Sequence, residues 1–415
     1  MSDWEEVQLK DIVSVLGDGL HGTPEYSDDG EYYFINGNNL DEGSIVINKE
    51  TQRVSHSEYL KYKKRLSDRT LLVSINGTLG NVAYYKSEKI LLGKSACYFN
   101  LLDNVNKGFI RYILSTPYFQ KYIQTYANGS TIKNVPLKAM REFSFNLPPL
   151  QEQKQIADIL SCLDRKISNL RQQNETLEAI AQTLFKHWFV DFEFPNEDGK
   201  PYKSSGGEMG RSELGEIPVG WRVETLEECL EHLIDNRGKT PEYFDSGIPA
   251  LSAKFVKGSD LVNRDSFNHV SPELFEQSDK LRIGDVILTS EAPLGETYFI
   301  AKETRYYPAQ RVFALRANKS IISCSYLNYW LNSPTGQFVL KRRASGSTVQ
   351  GIKQSELYQC EVIVPDSKIQ DRVSEALTKI LSKKELNSDQ IQTLTKTRDV
   401  LLPKLMSGKL RITEL

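Results

Sequence analysis

An excess of positive charge is the first thing this sequence lacks. Its 415 residues hold 52 Lys and Arg against 54 Asp and Glu, a formal net charge of −2 at pH 7. The isoelectric point is near 6.3. Chains that bind nucleic acid are often strongly basic. Any such face here must come from local clusters of Lys and Arg, with acids placed elsewhere. Cysteine is sparse: Cys97, Cys162, Cys229, Cys324 and Cys360 are odd in number, scattered and never in C-x-x-C spacing. That pattern predicts free buried thiols in a reducing compartment rather than a disulfide framework or a thiolate zinc site. No apolar run reaches the ~18 residues of a membrane helix. The opening MSDWEEVQLK has no apolar stretch before a small-residue cleavage site. The expectation is a cytoplasmic protein without a membrane partner.

Catalytic signatures are also missing. An amino-methyltransferase grips its target amine with an [N/D]-P-P-[Y/F] tetrapeptide, and the nearest string, Leu147–Leu150, is LPPL with apolar ends. A Mg²⁺ nuclease of the PD…E-x-K kind needs clustered acids, yet Pro365-Asp366 has no E-x-K after it. Glu152–Lys154 falls at a helix start, where Glu152 reads as a capping partner. Gly17–Gly19 reads as a turn. The histidines, His21, His56, His187, His232 and His269, show no i, i+4 pair and no metal spacing with cysteine. There is no P-loop. No catalytic residue, metal site or bound cofactor is expected on this chain.

What the sequence does contain is itself, twice. ANGSTIKNVPL (Ala127–Leu137) returns as ASGSTVQGIKQ (Ala344–Gln354). TPEY at Thr23–Tyr26 returns at Thr240–Tyr243, and FIRYILSTP (Phe109–Pro117) aligns with YLNYWLNSP (Tyr326–Pro334). LLVSINGTLG (Leu71–Gly80) matches VILTSEAPLG (Val286–Gly295) at a slightly shorter offset. Blocks in one order at one nearly constant offset mark an internal duplication. Within each copy, short β-branched and aromatic runs bounded by Gly, Pro, Asn and Asp predict an irregular, strand-rich domain.

A helix follows each domain. Ile156, Leu160, Leu163, Ile167, Leu170, Asn174, Leu177, Ala181, Leu184 and Trp188 step by fours and threes without a break. That is an a/d seam, and it argues for a coiled coil over the alternative, an amphipathic helix on a globular core. Asn174 on the seam is a register-fixing residue at some cost in stability. The second copy continues the seam with Val373, Leu377, Ile380, Lys384, Asn387, Ile391, Leu394, Arg398, Leu401 and Leu405. Pairing the two helices buries both stripes, and a pseudo-two-fold relation makes them antiparallel. A helix of about 40 residues is ~60 Å long, a stiff spacer. The fold class predicted is α+β: two pseudo-symmetric strand-rich domains separated by two long helices forming an antiparallel coiled coil. The boundaries predicted are a first domain at 1–149, a central helix at 150–193, a Gly-, Pro- and Ser-rich linker at 194–218, a second domain at 219–366, a distal helix at 367–408 and a tail at 409–415.

Local basic clusters do occur. Tyr59–Arg65, YLKYKKR, interleaves aromatics with Lys61, Lys63, Lys64 and Arg65. Lys341, Arg342 and Arg343 lead into the second Gly-Ser-Thr loop. Phosphate contacts use cations and small donors; base edges are read by Asn, Gln, Arg, Ser and Thr on exposed turns. Asn36, Asn38, Ser130, Thr131, Lys133 and Asn134 in the first copy offer such groups, as do Ser347, Thr348 and Gln350 in the second. The plain alternative for each is a solvated loop. Both copies keep Gly-Ser-Thr while the following residues differ, Ile132–Asn134 against Val349–Gly351.

With these motifs the chain resembles, over essentially its whole length, the specificity subunit of type I restriction-modification systems. The resemblance rests on Gly129–Leu160, on LFKHWFVDFEFP (Leu184–Pro195), on SELGEIPVGW (Ser212–Trp221) and on LLPKLMSGKLRI (Leu401–Ile412). GKTPEY…GIP (Gly238–Pro249) resembles a segment of that family's target-recognition domains. The resemblance implies that each domain reads one half of a bipartite, asymmetric site on double-stranded DNA, and that the helices set the unread gap. It implies docking of two adenine-methyltransferase (modification) subunits, and through them restriction endonuclease and translocase subunits. S-adenosylmethionine, ATP and Mg²⁺ then belong to those partners. Thr23, Tyr26, Lys239, Thr240, Tyr243, Lys254 and Arg311 join the DNA-contacting candidates. Lys239 has no counterpart in the first copy, where His21 or Lys61 is the candidate substitute, and Gln310-Arg311 becomes Lys94-Ser95. Two other readings stay open: a coiled-coil scaffold joining two partner proteins without DNA, and a stand-alone methylation or nuclease polypeptide, which the missing catalytic motifs oppose.

Overall fold

The computed structural model describes residues 4–236, 238, 240–346 and 349–412. The chain divides into two units: residues up to Asn169 with those from Ile391 onward, and Leu170–Gln390. The central helix, Leu150–Phe185, and the distal helix, Ser367–Met406, are each shared between the units. The fold is α+β, and the duplication seen in the sequence is a duplication of topology.

In the first unit a four-stranded antiparallel sheet runs in the order Val13–Asp18, Ala96–Leu101, Thr70–Ser74, Val82–Tyr84. In the second the order is Leu230–Asp235, Val312–Ala317, Val286–Thr289, Thr297–Phe299. The strands at Thr70–Ser74 and Val286–Thr289 are buried at every residue. Alternation along a strand sends their side chains to two faces. Leu71 and Val73 join Phe99, Phe109 and the helix residues Ile156, Leu160 and Leu405 in one core. Leu72 joins Ile35, Ile90 and Leu92 in another. Those three belong to a small mixed sheet, in which Tyr32–Ile35 pairs antiparallel with Arg53–Val54 and parallel with Ile90–Leu92. The second unit repeats it with Ile248–Leu251, His269–Val270 and Tyr307–Pro308.

Within each unit the helices pack antiparallel. In the first, Glu152 meets Arg411 at 2.8 Å and Asp164 meets Arg398 at 3.0 Å. In the second, Asn174 meets Asn387 and Glu178 meets Lys384, at 2.9 and 2.5 Å. Ile156, Leu160, Ile167, Leu170, Val373, Leu377 and Leu405 are buried, and Leu163, Leu177, Leu184, Ile380, Ile391, Leu394 and Leu401 are half-buried. Asn174 pins the register on the seam: its amide donates to the Lys384 carbonyl and to Ser388 Oγ, both at 3.2 Å.

Some local expectations change. The central helix ends at Phe185 in a π-helical turn over Lys186–Val190. The Gly- and Pro-rich stretch after it carries structure. Met209–Ser212 pairs with Gly215–Pro218, and Phe194 stacks on Tyr202 and Trp221 at 4.6 and 5.2 Å. Its few aromatic anchors outweigh its loop-like composition. Not every cysteine is buried: Cys162 is exposed and Cys324 half-buried, and all are free thiols. Burial pushes the Cys229 and Cys360 thiols up to about 12. No helix among the described residues is long and apolar enough to cross a membrane.

Glu152 lies in the first turn of its helix, and its carboxylate takes the Trp4 indole N–H and Arg411. The buried residue beside it, Gln153, joins helix start to domain. Its amide donates to the Pro148 carbonyl at 2.8 Å and its oxygen accepts the Asn106 N–H at 2.8 Å. Gln370 does the same in the second unit, with Pro365 at 3.1 Å and Ser323 at 3.0 Å. Replacing either with Leu strands buried polar partners, at about 1–3 kcal/mol each. Denaturant unfolding of Gln153→Leu and Gln370→Leu measures this; unchanged midpoints contradict it.

Candidate nucleic-acid interface

In each unit a set of loops meets at one end of the four-stranded sheet, held together by backbone bonds. The first is the Gly-Ser-Thr loop. Asn128 and Asn134 exchange N–H···O bonds of 2.8 Å across its base; Ser345 and Gly351 do so at 2.8 and 2.9 Å. This closure needs glycine behind the bridge. Gly129 and Gly346 take φ of +103° and +108°. A Cβ there would lie 2.3 Å from the Ile132 carbonyl oxygen and 2.2 Å from that of Val349. At the tips Ile132 is 62% exposed and Val349 52%. Apolar tips of this kind are suited to a contact surface rather than to bulk water.

The second loop is the hairpin after the buried strand, Ser74–Gly80 and Thr289–Gly295. The Val135 N–H donates to the Ile75 carbonyl at 2.8 Å, and that of Ile352 to Ser290 at 2.9 Å. A glutamine on the helix before each Gly-Ser-Thr loop, Pro117–Tyr126 or Pro334–Arg342, straps each hairpin. Gln120 donates to the Gly80 and Leu114 carbonyls at 3.0 Å, and Gln337 to those of Gly295 and Leu331 at 2.8 Å. The third loop closes the set: Ile75 N–H reaches Ser95 O and Ser290 N–H reaches Arg311 O, both at 2.9 Å.

Around this shared frame the side chains differ. In the first unit Asn76 donates to Asn134 Oδ1 at 3.2 Å, and Lys133 to Gln124 at 3.1 Å. Ser95 donates to Oδ1 of the half-buried Asn36 at 2.8 Å, which ties that oxygen to the frame, while Asn38, Ser130 and Thr131 are exposed. Thr23 and Tyr26 sit on an exposed loop joined to the helix His56–Tyr62, just before the basic run, through Glu58, which accepts the Glu25 N–H at 3.1 Å and Lys61 at 2.9 Å. Those hydrogen bonds, from Lys61 first and Glu25 next, hold the Glu58 carboxyl below its usual range. Lys63 and Arg65 are exposed and Lys64 half-buried.

In the second unit Gln310 donates to Thr240 Oγ1 at 2.7 Å, and Arg311 pairs with Glu291 at 2.9 Å. Lys254 lies 4.6 Å over the Phe255 ring, Gln350 is exposed, and Tyr243 packs half-buried among Ile248, Val270 and Phe275. Arg342 and Arg343 are both engaged by Glu361, at 2.6 and 3.2 Å, so their charge is partly met within the chain. Burial opposes ionisation of Glu361, but its bonds to these arginines hold the carboxyl below its usual range. Lys239, Ser347 and Thr348 lie outside the described residues. Sequence reasoning missed Asn76, Glu291, Gln120 and Gln337. The paired glutamines had a signal, since both fall at one offset in the repeat.

The comparisons with known proteins agree with this duplicated design. The family model described as the type I restriction modification DNA specificity domain matches residues 1–179 and 218–396. The type I restriction enzyme MjaIX specificity subunit of Methanocaldococcus jannaschii is 28% identical over 429 residues, covering 100% of this chain and 95% of its own length. The type I restriction enzyme HindI specificity subunit of Haemophilus influenzae is 24% identical over 352 residues, 71% of this chain and 75% of its own. Among solved structures, the type I restriction-modification system S subunit from M. genitalium superposes with a TM-score of 0.62 at 18% identity, covering 97% of this chain and 96% of that one, which shows the shared fold. The chain belongs to the type I restriction-modification DNA specificity family.

Proposed function

We propose that each loop cluster reads one half of a bipartite, asymmetric DNA site, and that the helices set the unread gap between the halves. The observation that carries this is the repeated frame: the same backbone bonds hold the same loops in both units, while the side chains around them differ. A common frame with divergent side chains is what two half-sites of different sequence require. The helices also dock two modification subunits, and through them the endonuclease subunits. The chain itself performs no chemistry; S-adenosylmethionine, ATP and Mg²⁺ act on the partners. The partner subunits supply part of the DNA grip, and this reconciles the net charge of −2 with a DNA-binding role.

The test is selection from a random duplex pool by the complex of this chain with its modification subunit. Two short blocks at a fixed gap are expected; one contiguous block, or none, contradicts the reading. Salt dependence adds a finer check. Replacing Lys341, Arg342 and Arg343 with Ala lowers the slope of log affinity against log salt by about one for each cation that reaches a phosphate. Because Glu361 holds two of them, the fall is smaller than the three charges alone imply. An unchanged slope places the cluster away from DNA.

A further inference from the structure

The second unit's loop frame carries a charged pair that the first unit lacks. Arg311 takes φ of +64°, a left-handed conformation uncommon for a residue with a side chain. It is held there by its carbonyl, which accepts the Ser290 N–H at 2.9 Å, and by Glu291, which engages its Nε at 2.9 Å. The arginine side chain is 57% exposed and the glutamate 40%. Arg311 and Gln310 form a ridge between two clefts. One is about 470 Å³, with Glu291, Ser345 and Lys353 in its wall; the other is about 200 Å³, with Tyr243, Lys254 and Asn268. At the matching places in the first unit stand Ser95, whose hydroxyl is turned to Asn36, and Asn76, which pairs with Asn134. Both are neutral.

Resting on the half-site reading above, we propose that Arg311 and Glu291 together read a G·C base pair in the half-site of the second unit. The chemistry is complementary. In the major groove guanine offers the N7 and O6 acceptors, which arginine meets as a fork, and cytosine offers an N4 donor, which a carboxylate accepts. A guanidinium and a carboxylate already 2.9 Å apart present both patterns side by side. The carboxylate also fixes the rotamer of a long side chain before DNA arrives, which lowers the ordering cost of binding. A pair serving stability alone has little to gain in this position, since an exposed ion pair contributes only about 0–1 kcal/mol, while the left-handed backbone costs of order 1–3 kcal/mol.

The experiment is duplex selection with the complex carrying Arg311→Ala, Arg311→Lys or Glu291→Gln. Arg311→Ala lowers the preference for G·C at one position by about ten- to a hundredfold, leaving the other half-site and the gap unchanged. Arg311→Lys keeps the charge but not the fork, so it relaxes the same position. Glu291→Gln acts in the same direction and serves where an arginine variant fails to accumulate. A duplex with 7-deazaguanine at that position binds the wild-type complex less well and the Arg311→Ala complex equally. Arg311 variants that enrich the wild-type motif unchanged overturn the proposal. Relaxation spread over both halves overturns it too, because it marks a general loss of grip. Failure of the wild-type complex to enrich any split motif overturns the half-site reading instead.

Discussion

Glu385→Ala costs the second unit about 3 kcal/mol or more, the usual penalty for leaving a buried charge without its partner. Glu385 is 6% exposed on the distal helix and accepts both arms of Arg264 at 3.1 Å, itself 11% exposed. The Tyr298 hydroxyl donates to the same carboxylate at 2.8 Å, and Lys302 adds a contact at 3.2 Å. Lys302 is also bonded to Asp389. Removing Glu385 takes the acceptor from the tyrosine hydroxyl and leaves Arg264 the longer contact to Asp389 at 3.4 Å. Acid has a related effect. Burial alone would raise the Glu385 carboxyl, but Arg264, Tyr298 and Lys302 hold it below its usual range. A depressed folded value contributes stability that is complete above the unfolded carboxylate range, about 4, and is lost as the pH falls through the lower folded value. Denaturant melts across pH 7 to 3 therefore show wild type losing stability below about 4, with Glu385→Gln losing less over that window. Equal slopes for the two proteins contradict the role given to this carboxylate.

Gly129→Ala and Gly346→Ala, made together, lower affinity for the specific duplex at least about tenfold with little change in the unfolding midpoint. Each added Cβ meets a carbonyl oxygen at 2.3 or 2.2 Å at a φ that side chains rarely adopt. Strain of this kind is worth of order 1–3 kcal/mol per residue, and the loop sheds it by opening the bridge at its base. The loops lie outside the cores, so the melt is nearly unaffected, while the fraction of chains with a closed loop falls and the apparent affinity falls with it. Binding of labelled duplex by the complex reads this directly. Unchanged affinity in the double variant removes the Gly-Ser-Thr loops from the interface.

Much of the architecture was legible because it repeats. The blocks at Thr23–Tyr26, Leu71–Gly80 and Ala127–Leu137 each announced a loop or strand twice, and the a/d spacing announced both helices. The ionic clamps between helix and domain were not legible, because they are not duplicated. The first unit uses Asp164 on the central helix, bonded to Arg111, Tyr112 and Arg398 at 2.9, 2.7 and 3.0 Å. The second uses Glu385 on the distal helix, with partners from a different part of the domain. Charges on a helix surface look alike in a sequence until tertiary packing buries some of them. The same limit applies to Asn36: its side chain suits a base edge, and the bond its Oδ1 accepts from Ser95, distant in sequence, was not legible. The aromatic anchors Phe194 and Trp221 were hidden by the loop-like composition between them.

The central claim is that two related loop clusters read two different half-sites at a fixed separation. Single-molecule methylome sequencing tests it most directly, in a methylation-free host carrying this chain with its cognate modification subunit. The account predicts one new methylated motif, split into two short unlike blocks with a fixed number of unread base pairs between them. A continuous motif, or no new motif from a soluble and associated complex, contradicts it.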